Sequence, residues 1–336
     1  MTYKTEQQQR SEGLIREGFF DGDKGGAVFM GKPRSFVLQD GSHNLYPDIR
    51  QDALDYFKQN DVAWWGGSYP TGHVLSSQIA CLNHLFSIRQ DKAAVLNLLK
   101  TVSDDFVDVL TIAEHLEGYI QFEAVGGDTN FLNEGTSTRG SNCTSVDALV
   151  YALHKDGRRF LIPIEWKYVE AYGNEDKSVG SKGKTRKSRY LDLIANSKYL
   201  NDKTLECCWF EPFYQLMRQT LWAEQLLIHK VPGYEADDYL HLHIIPDENA
   251  ELLNKKYPCS GKGMKETWKS CLVDPGKYIV ISPKDLWDKQ EPDTDICRYL
   301  KHRYWPIGSP IKQIGKASAE FDDDERGNTA EPQIED

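Results

Sequence analysis

The chain has 336 residues, 40% of them hydrophobic, and a formal net charge of −11. That length and apolar share suit a globular protein with one sizeable core, and no apolar run approaches the roughly 18 residues that cross a bilayer. The polar start MTYKTEQQQR has no signal-peptide core, and the seven cysteines show no Cys-x-x-Cys pair, which speaks against a secreted disulfide scaffold or a zinc module and for reduced thiols in a cytoplasmic protein.

Residues 1–60 are polar and glycine-rich, with short strands expected at 27–30 and 35–38, and form an N-terminal segment from which no role is read. A main domain is expected over 61–305. It should hold helices at 74–90, 92–99 and about 104–116, then strands at 119–125, 146–153 and 160–168, the last two joined by the turn signal His154-Lys155-Asp156-Gly157. Next comes 177–189, with six basic residues and no acid, whose glycines and serines predict a mobile basic loop. A helix over 211–229 is predicted from Pro212 and the stripe Phe213, Leu216, Met217, Thr220, Leu221 and Leu227. In the strand at 239–245, Leu240, Leu242 and Ile244 alternate with His241 and His243, which should share a partly exposed face. A turn and helix near 246–256, a strand at 277–281 and a helix near 293–303 complete the domain. The last stretch, 306–336, is an acidic tail expected to be disordered. Residues 320–336 carry eight acids against Arg326 alone, a net of −7, which leaves only −4 for the rest of the chain.

The chemistry concentrates on the hairpin. Asp147 opens one apolar strand, and Glu165 and Lys167 close the next. Side chains alternate along a strand, so Glu165 and Lys167 point one way and Trp166 the other. Two carboxylates on a half-buried sheet repel, and such a pair persists when a cation or a lysine compensates it. Mg²⁺ fits that demand, with Mn²⁺ as a substitute and the carbonyl of Trp166 as a further ligand.

Asp147 followed by Glu165-Trp166-Lys167 resembles the PD-(D/E)xK nuclease superfamily. Within it, Thr144-Ser145-Val146-Asp147-Ala148 and 164–170, IEWKYVE, resemble the T-S-x-D-A and I-E-x-K-Y-x-E motifs of a restriction-endonuclease-like family. Gln215-Leu216-Met217-Arg218 is similar to that family's Q-L-x-R helix, and Ser76-Ser77-Gln78 with Cys81 and Asn83 to its S-S-Q helix. Arg298-Tyr299-Leu300 with Arg303-Tyr304 resembles its closing R-Y helix, so the likeness runs collinearly over about 60–305.

The resemblance implies an α/β fold with a restriction-endonuclease-like core, a mixed central sheet flanked by helices in the order αβββαβ, with helical additions. It implies a metal-dependent endodeoxyribonuclease in which Asp147, Glu165 and the Trp166 carbonyl hold Mg²⁺, and Lys167 orients the attacking water and neutralises phosphate charge. Glu123 is a further candidate acid, whereas Glu170 lies one parity step off and should form a salt bridge. DNA is the implied partner. Lys182, Lys184, Arg186, Lys187 and Arg189 would fold over its backbone, Gln215 would approach the metal, and Arg218 would take a phosphate. Ser76, Ser77 and Gln78 either contact DNA or pack within their helix. The function expected is restriction-type or anti-phage defence, and a homodimer would let two sites address both strands. A repair or recombination nuclease, or a noncatalytic DNA-binding protein on the same scaffold, are the alternatives.

Overall fold

In the computed structural model, residues 1–112, 118–126, 131–134 and 143–305 are described. The expected acidic tail lies outside them, as does the end of the helix expected to reach 116. The chain opens with α1 (Tyr3–Arg16), capped by Thr2, whose hydroxyl accepts from Thr5 N at 3.1 Å. A two-strand ribbon follows, β1 (Val28–Phe29) and β2 (Lys32–Pro33), then α2 (Arg50–Gln59). The expected strand at 35–38 reduces to one bridge, Val37 to His73.

Helix α3 (Ser77–Leu85) starts at Ser76, whose hydroxyl accepts from Ile79 N, and α4 (Lys92–Lys100) starts at Asp91, which accepts from Ala93 and Ala94 N. After α4 the expected helix at 104–116 is replaced by strand β3 (Phe106–Leu110). The ladder shifts register between Phe106 and Asp108, so Phe106 and Val109 are both buried three residues apart. A strand irregularity thus copies helical spacing.

Strands β4 (Ile120–Ala124), β5 (Val146–His154) and β6 (Arg159–Trp166) form an antiparallel meander. The stretch expected as a mobile basic loop is helical instead, α5 (Gly180–Asn196), because Gly183, Arg186, Tyr190 and Ile194 recur at spacings of three and four and are buried. Then come α6 (Thr204–Cys207) and α7 (Phe213–His229). The chain returns to the sheet through β7 (Asp238–Tyr239) and β8 (His241–Ile244), both parallel to β6. It continues through α8 (Ala250–Leu253) and α9 (Met264–Cys271) to β9 (Tyr278–Ile281), parallel to β8, and ends in α10 (Pro283–Leu286) and α11 (Asp295–Arg303).

Among the described residues, seven strands make one mixed sheet, with β3 and β4 sharing one edge of β5. This is the mixed α/β core expected. One face, including Ala148, Val150, Ile162, Ile164 and Trp166, packs on α2, α3, α4 and α11. The other, including Leu149, Tyr151 and Leu161, packs on α5, α7 and α9. The first 60 residues contribute Tyr3, Leu14, Ile15, Tyr56 and Phe57 to the first core. A disulfide joins Cys207 to Cys259, which corrects the expectation of reduced thiols throughout.

His241 and His243 are buried, not partly exposed, because helices cover both faces of the sheet. Burial pushes His241 and His84 down to about 3 and His73 to about 4, and, with Lys167 adding to it, holds His243 far below the ordinary range. In the unfolded chain these rings protonate near about 6.5. Between about 6.5 and those depressed values the unfolded state binds more protons, so stability is full above about 6.5 and falls as pH drops, by about 1.4 kcal/mol per unit per ring. Urea midpoints at about pH 7.5 and about pH 5.5 should differ accordingly, and His241→Leu should narrow the gap. An unchanged gap in that variant would contradict the burial of a neutral ring.

Candidate active site

The pairing of Ala148 with Ile164 and Leu149 with Pro163 continues by one step to set Asp147 opposite Glu165. The two strand ends are tied there, since Trp166 N donates to Asp147 Oδ2 at 2.6 Å. Glu165 and Lys167 point toward α7 and are 1% and 0% exposed, with Lys167 Nζ 2.6 Å from Glu165 Oε1. Two glutamines one helical turn apart on α7 complete this pair. Gln215 Oε1 accepts from Lys167 Nζ at 2.8 Å, and Gln219 Nε2 donates to Glu165 Oε2 and to Ser145 O. A buried ion pair holds only when such bonds offset its desolvation. Trp166 points the opposite way and packs on His84 at 4.6 Å between ring centres.

Glu123 breaks the ladder. Its φ is +49°, and no pairing bridges it between Phe122 with Ala148 and Ala124 with Val146. Phe122 belongs to the core under α3, while Ala124 and Val146 belong to the core under α7, so the strands switch faces at this point. Glu123 and Asp147 consequently line a small pocket toward α3 with Gln78, Cys81, Phe57, Leu82 and Phe122. Gln78 Nε2 donates to Glu123 Oε1 at 2.8 Å, and Gln78 Oε1 accepts from Trp65 N at 2.9 Å. Burial and then the charges of Asp147, Glu123 and Glu165 push the Cys81 thiol well up.

Among the described residues no three His, Cys, Asp or Glu side chains converge on a ready cation cage. The donors gathered here are hard carboxylate oxygens, a set that fits Mg²⁺, which is often held by one or two carboxylates with water filling the rest of its shell.

The basic residues divide. Arg218 Nε donates to Glu134 Oε1 at 3.1 Å and Thr144 Oγ1 at 3.0 Å, and Tyr190 OH joins the same carboxylate at 2.6 Å. Arg186 is buried and donates to the Lys177 carbonyl, and both arginines and Lys177 lie over the Tyr214 ring at 5.5 to 5.6 Å. Lys182 and Lys184 are exposed on α5, with Lys187 and Arg189 half-buried beside them. Glu170 turns back to accept from Tyr168 N at 2.6 Å. Sequence reasoning missed Gln219, whose signal was its place one turn beyond Gln215 on the same stripe.

The family described as Restriction Endonuclease associating with ARP matches residues 5–305. No curated protein and no solved structure matches the chain. Among the described residues no helix is long and apolar enough to cross a membrane.

The buried pair sets a stability test. Lys167→Met leaves Glu165 in the core without that ammonium, so denaturant melts should show a loss of roughly 3–5 kcal/mol. Combining it with Glu165→Gln should recover most of that loss, and a double variant as unstable as the single one would refute the pairing.

Proposed function

Since the chain belongs to the family described as Restriction Endonuclease associating with ARP, we propose that it is a Mg²⁺-dependent DNA endonuclease of restriction or genome-defence type. The observation that carries this reading is the hydrogen bond from Trp166 N to Asp147, which ties that carboxylate to the strand end that bears the Glu165 and Lys167 pair. Asp147 and Glu165, with the main-chain carbonyl of Trp166, would hold the Mg²⁺, and Mn²⁺ would replace it. When bound, the ion supplies Lewis-acid stabilisation of phosphate charge and acidifies a water.

Every other task falls to the chain itself. Lys167 orients the attacking water and offsets charge growing on the phosphate oxygens, and it is steered by Gln215, whose Oε1 accepts a hydrogen bond from its Nζ. Gln219 donates to the second oxygen of Glu165 and so helps to hold the carboxylate in place. Glu123, held by Gln78, adds negative charge at the pocket rim and can take a proton from the site. Exposed Lys182 and Lys184 meet the DNA backbone as point charges. A homodimer would bring a second site to the opposite strand.

Plasmid cleavage tests the reading. Wild-type protein should cut duplex DNA with Mg²⁺ and stop with a chelator, and Asp147→Asn should lower the rate by about 10²-fold or more. Equal cutting by wild type and variant would rule out this site. Binding by every form without cutting would point to the noncatalytic scaffold, and a preference for branched or single-stranded DNA to a repair nuclease. Lys182→Ala with Lys184→Ala should weaken binding across sequences and lower the salt slope by about 2.

A further inference from the structure

We propose that the ribbon of β1 and β2 is a DNA wedge, in which Met30 at its tip enters a base step of the duplex while Lys24 and Lys32 hold the phosphates beside it. The proposal rests on the nuclease reading above and adds to it the element that deforms the substrate.

The sequence at 24–34, KGGAVFMGKPR, carries three cations and no acid. Val28 pairs with Pro33 and Phe29 with Lys32, so Met30 and Gly31 alone make the turn, with φ of +50° and +75°. Two positive φ values are what a tight I′ hairpin turn demands, and Asn or Gly meets that demand at the first position with least strain. Met30 occupies that position instead, and it is 83% exposed, with Val28 67% exposed below it. A long apolar side chain held in a strained conformation and pushed into water gains nothing for folding.

The stalk beneath the tip is tied on both sides. Gly26 N donates to Arg34 O, Arg34 N to Ala27 O and Ala27 N to Val37 O, each at 3.0 to 3.1 Å. Asp23 accepts from Gly25, Gln39 and Asp40 N at 2.8, 3.1 and 3.0 Å. Phe29 turns inward against Trp65 and His73, with ring centres at 5.6 and 4.7 Å. Trp65 N in turn donates to the Gln78 side chain that grips Glu123, so the ribbon is mounted on the same support as the acidic pocket.

One projecting methionine two residues from exposed Lys32, on a segment that begins at exposed Lys24, suits a polyanion with gaps between stacked planes, and it is too narrow for a protein-docking face. Apolar wedges of this kind unstack base steps, most readily the flexible pyrimidine–purine ones, and kink the duplex away from the groove they enter.

The test uses the full chain in a chelator, with duplexes carrying 2-aminopurine at TA or CA steps. Wild-type protein should raise the fluorescence on binding. Met30→Gly relieves the turn, so its melting temperature should equal or exceed that of wild type, while the fluorescence rise disappears and affinity drops by about fivefold. Lys32→Ala should keep the rise yet weaken binding and lower the salt slope by about 1. A Met30→Gly protein with wild-type affinity and fluorescence overturns the wedge, as does wild-type binding and Mg²⁺-dependent cleavage with no fluorescence rise. Wild-type protein that neither binds nor cuts DNA overturns the nuclease reading itself, which separates the two failures.

Discussion

A lysine and a glutamate in the middle of a protein, 0% and 1% exposed and 2.6 Å apart, set the terms for everything around them. Neither charge survives there without further polar partners, and an apolar pair of the same volume would pack at no greater cost. Helix α7 supplies those partners with two carboxamides used in opposite senses, the oxygen of Gln215 toward the ammonium and the nitrogen of Gln219 toward the carboxylate. The seat of α7 on the sheet is therefore decided by polar complementarity as well as by its apolar stripe. Retention of so demanding a pair where a hydrophobic one would serve folding is what directs attention to chemistry at this strand end.

The switch of faces at Glu123 solves a related problem. Three carboxylates on one face at adjacent positions would repel at a few ångströms in a medium that screens poorly. Here Glu123 and Asp147 line a pocket with Gln78 and Cys81 of α3, Glu165 bonds to Gln219 of α7, and Trp166 N donates to Asp147 at the strand end between these two groups of partners. Helices on opposite faces of the sheet thus reach the same end of it. The sandwich acts as a two-sided holder, with Gln78 on one side and Gln215 with Gln219 on the other.

Much of this was legible in the residues. The meander around His154-Lys155-Asp156-Gly157 and the stripe of α7 are local signals, and local signals survive folding. The register that sets Asp147 against Glu165 follows from the short turn. What alternation could not tell was the face of Asp147, because parity holds only along an unbroken ladder and Glu123 breaks it. The same failure turned 104–116 into a supposed helix. At 177–189 the glycines and lysines hid a stripe in which two buried positions, Gly183 and Arg186, are not apolar residues at all. Alternation assigned His241 and His243 to one face correctly, yet exposure depends on which elements cover that face, and this is a long-range property. The bond between Cys207 and Cys259 spans 52 residues and follows from how α6 meets the loop before α9, which no spacing encodes.

The outer motifs find a different explanation from the inner ones. Asn83 accepts from Tyr46 N at 2.7 Å and donates to Tyr304 OH at 2.9 Å, and Arg303 donates to the Asn44 carbonyl and to Tyr299 OH. Tyr168 OH, just past Lys167, donates to Gln7 Oε1 at 3.0 Å. These buried bonds join the first helix, the loop at 41–46, α3 and the closing helix around the back of the strand that carries the ion pair. Each polar group there has given up water, so removing any one partner strands another in the core. Asn83 of the S-S-Q helix and Tyr299, Arg303 and Tyr304 of the R-Y helix, which invite a catalytic interpretation by their polarity, are thus accounted for by assembly. Gln78 of the S-S-Q helix does reach an acid of the site, Glu123, while Asn83, five residues further along, joins the same helix to Tyr46 and to Tyr304.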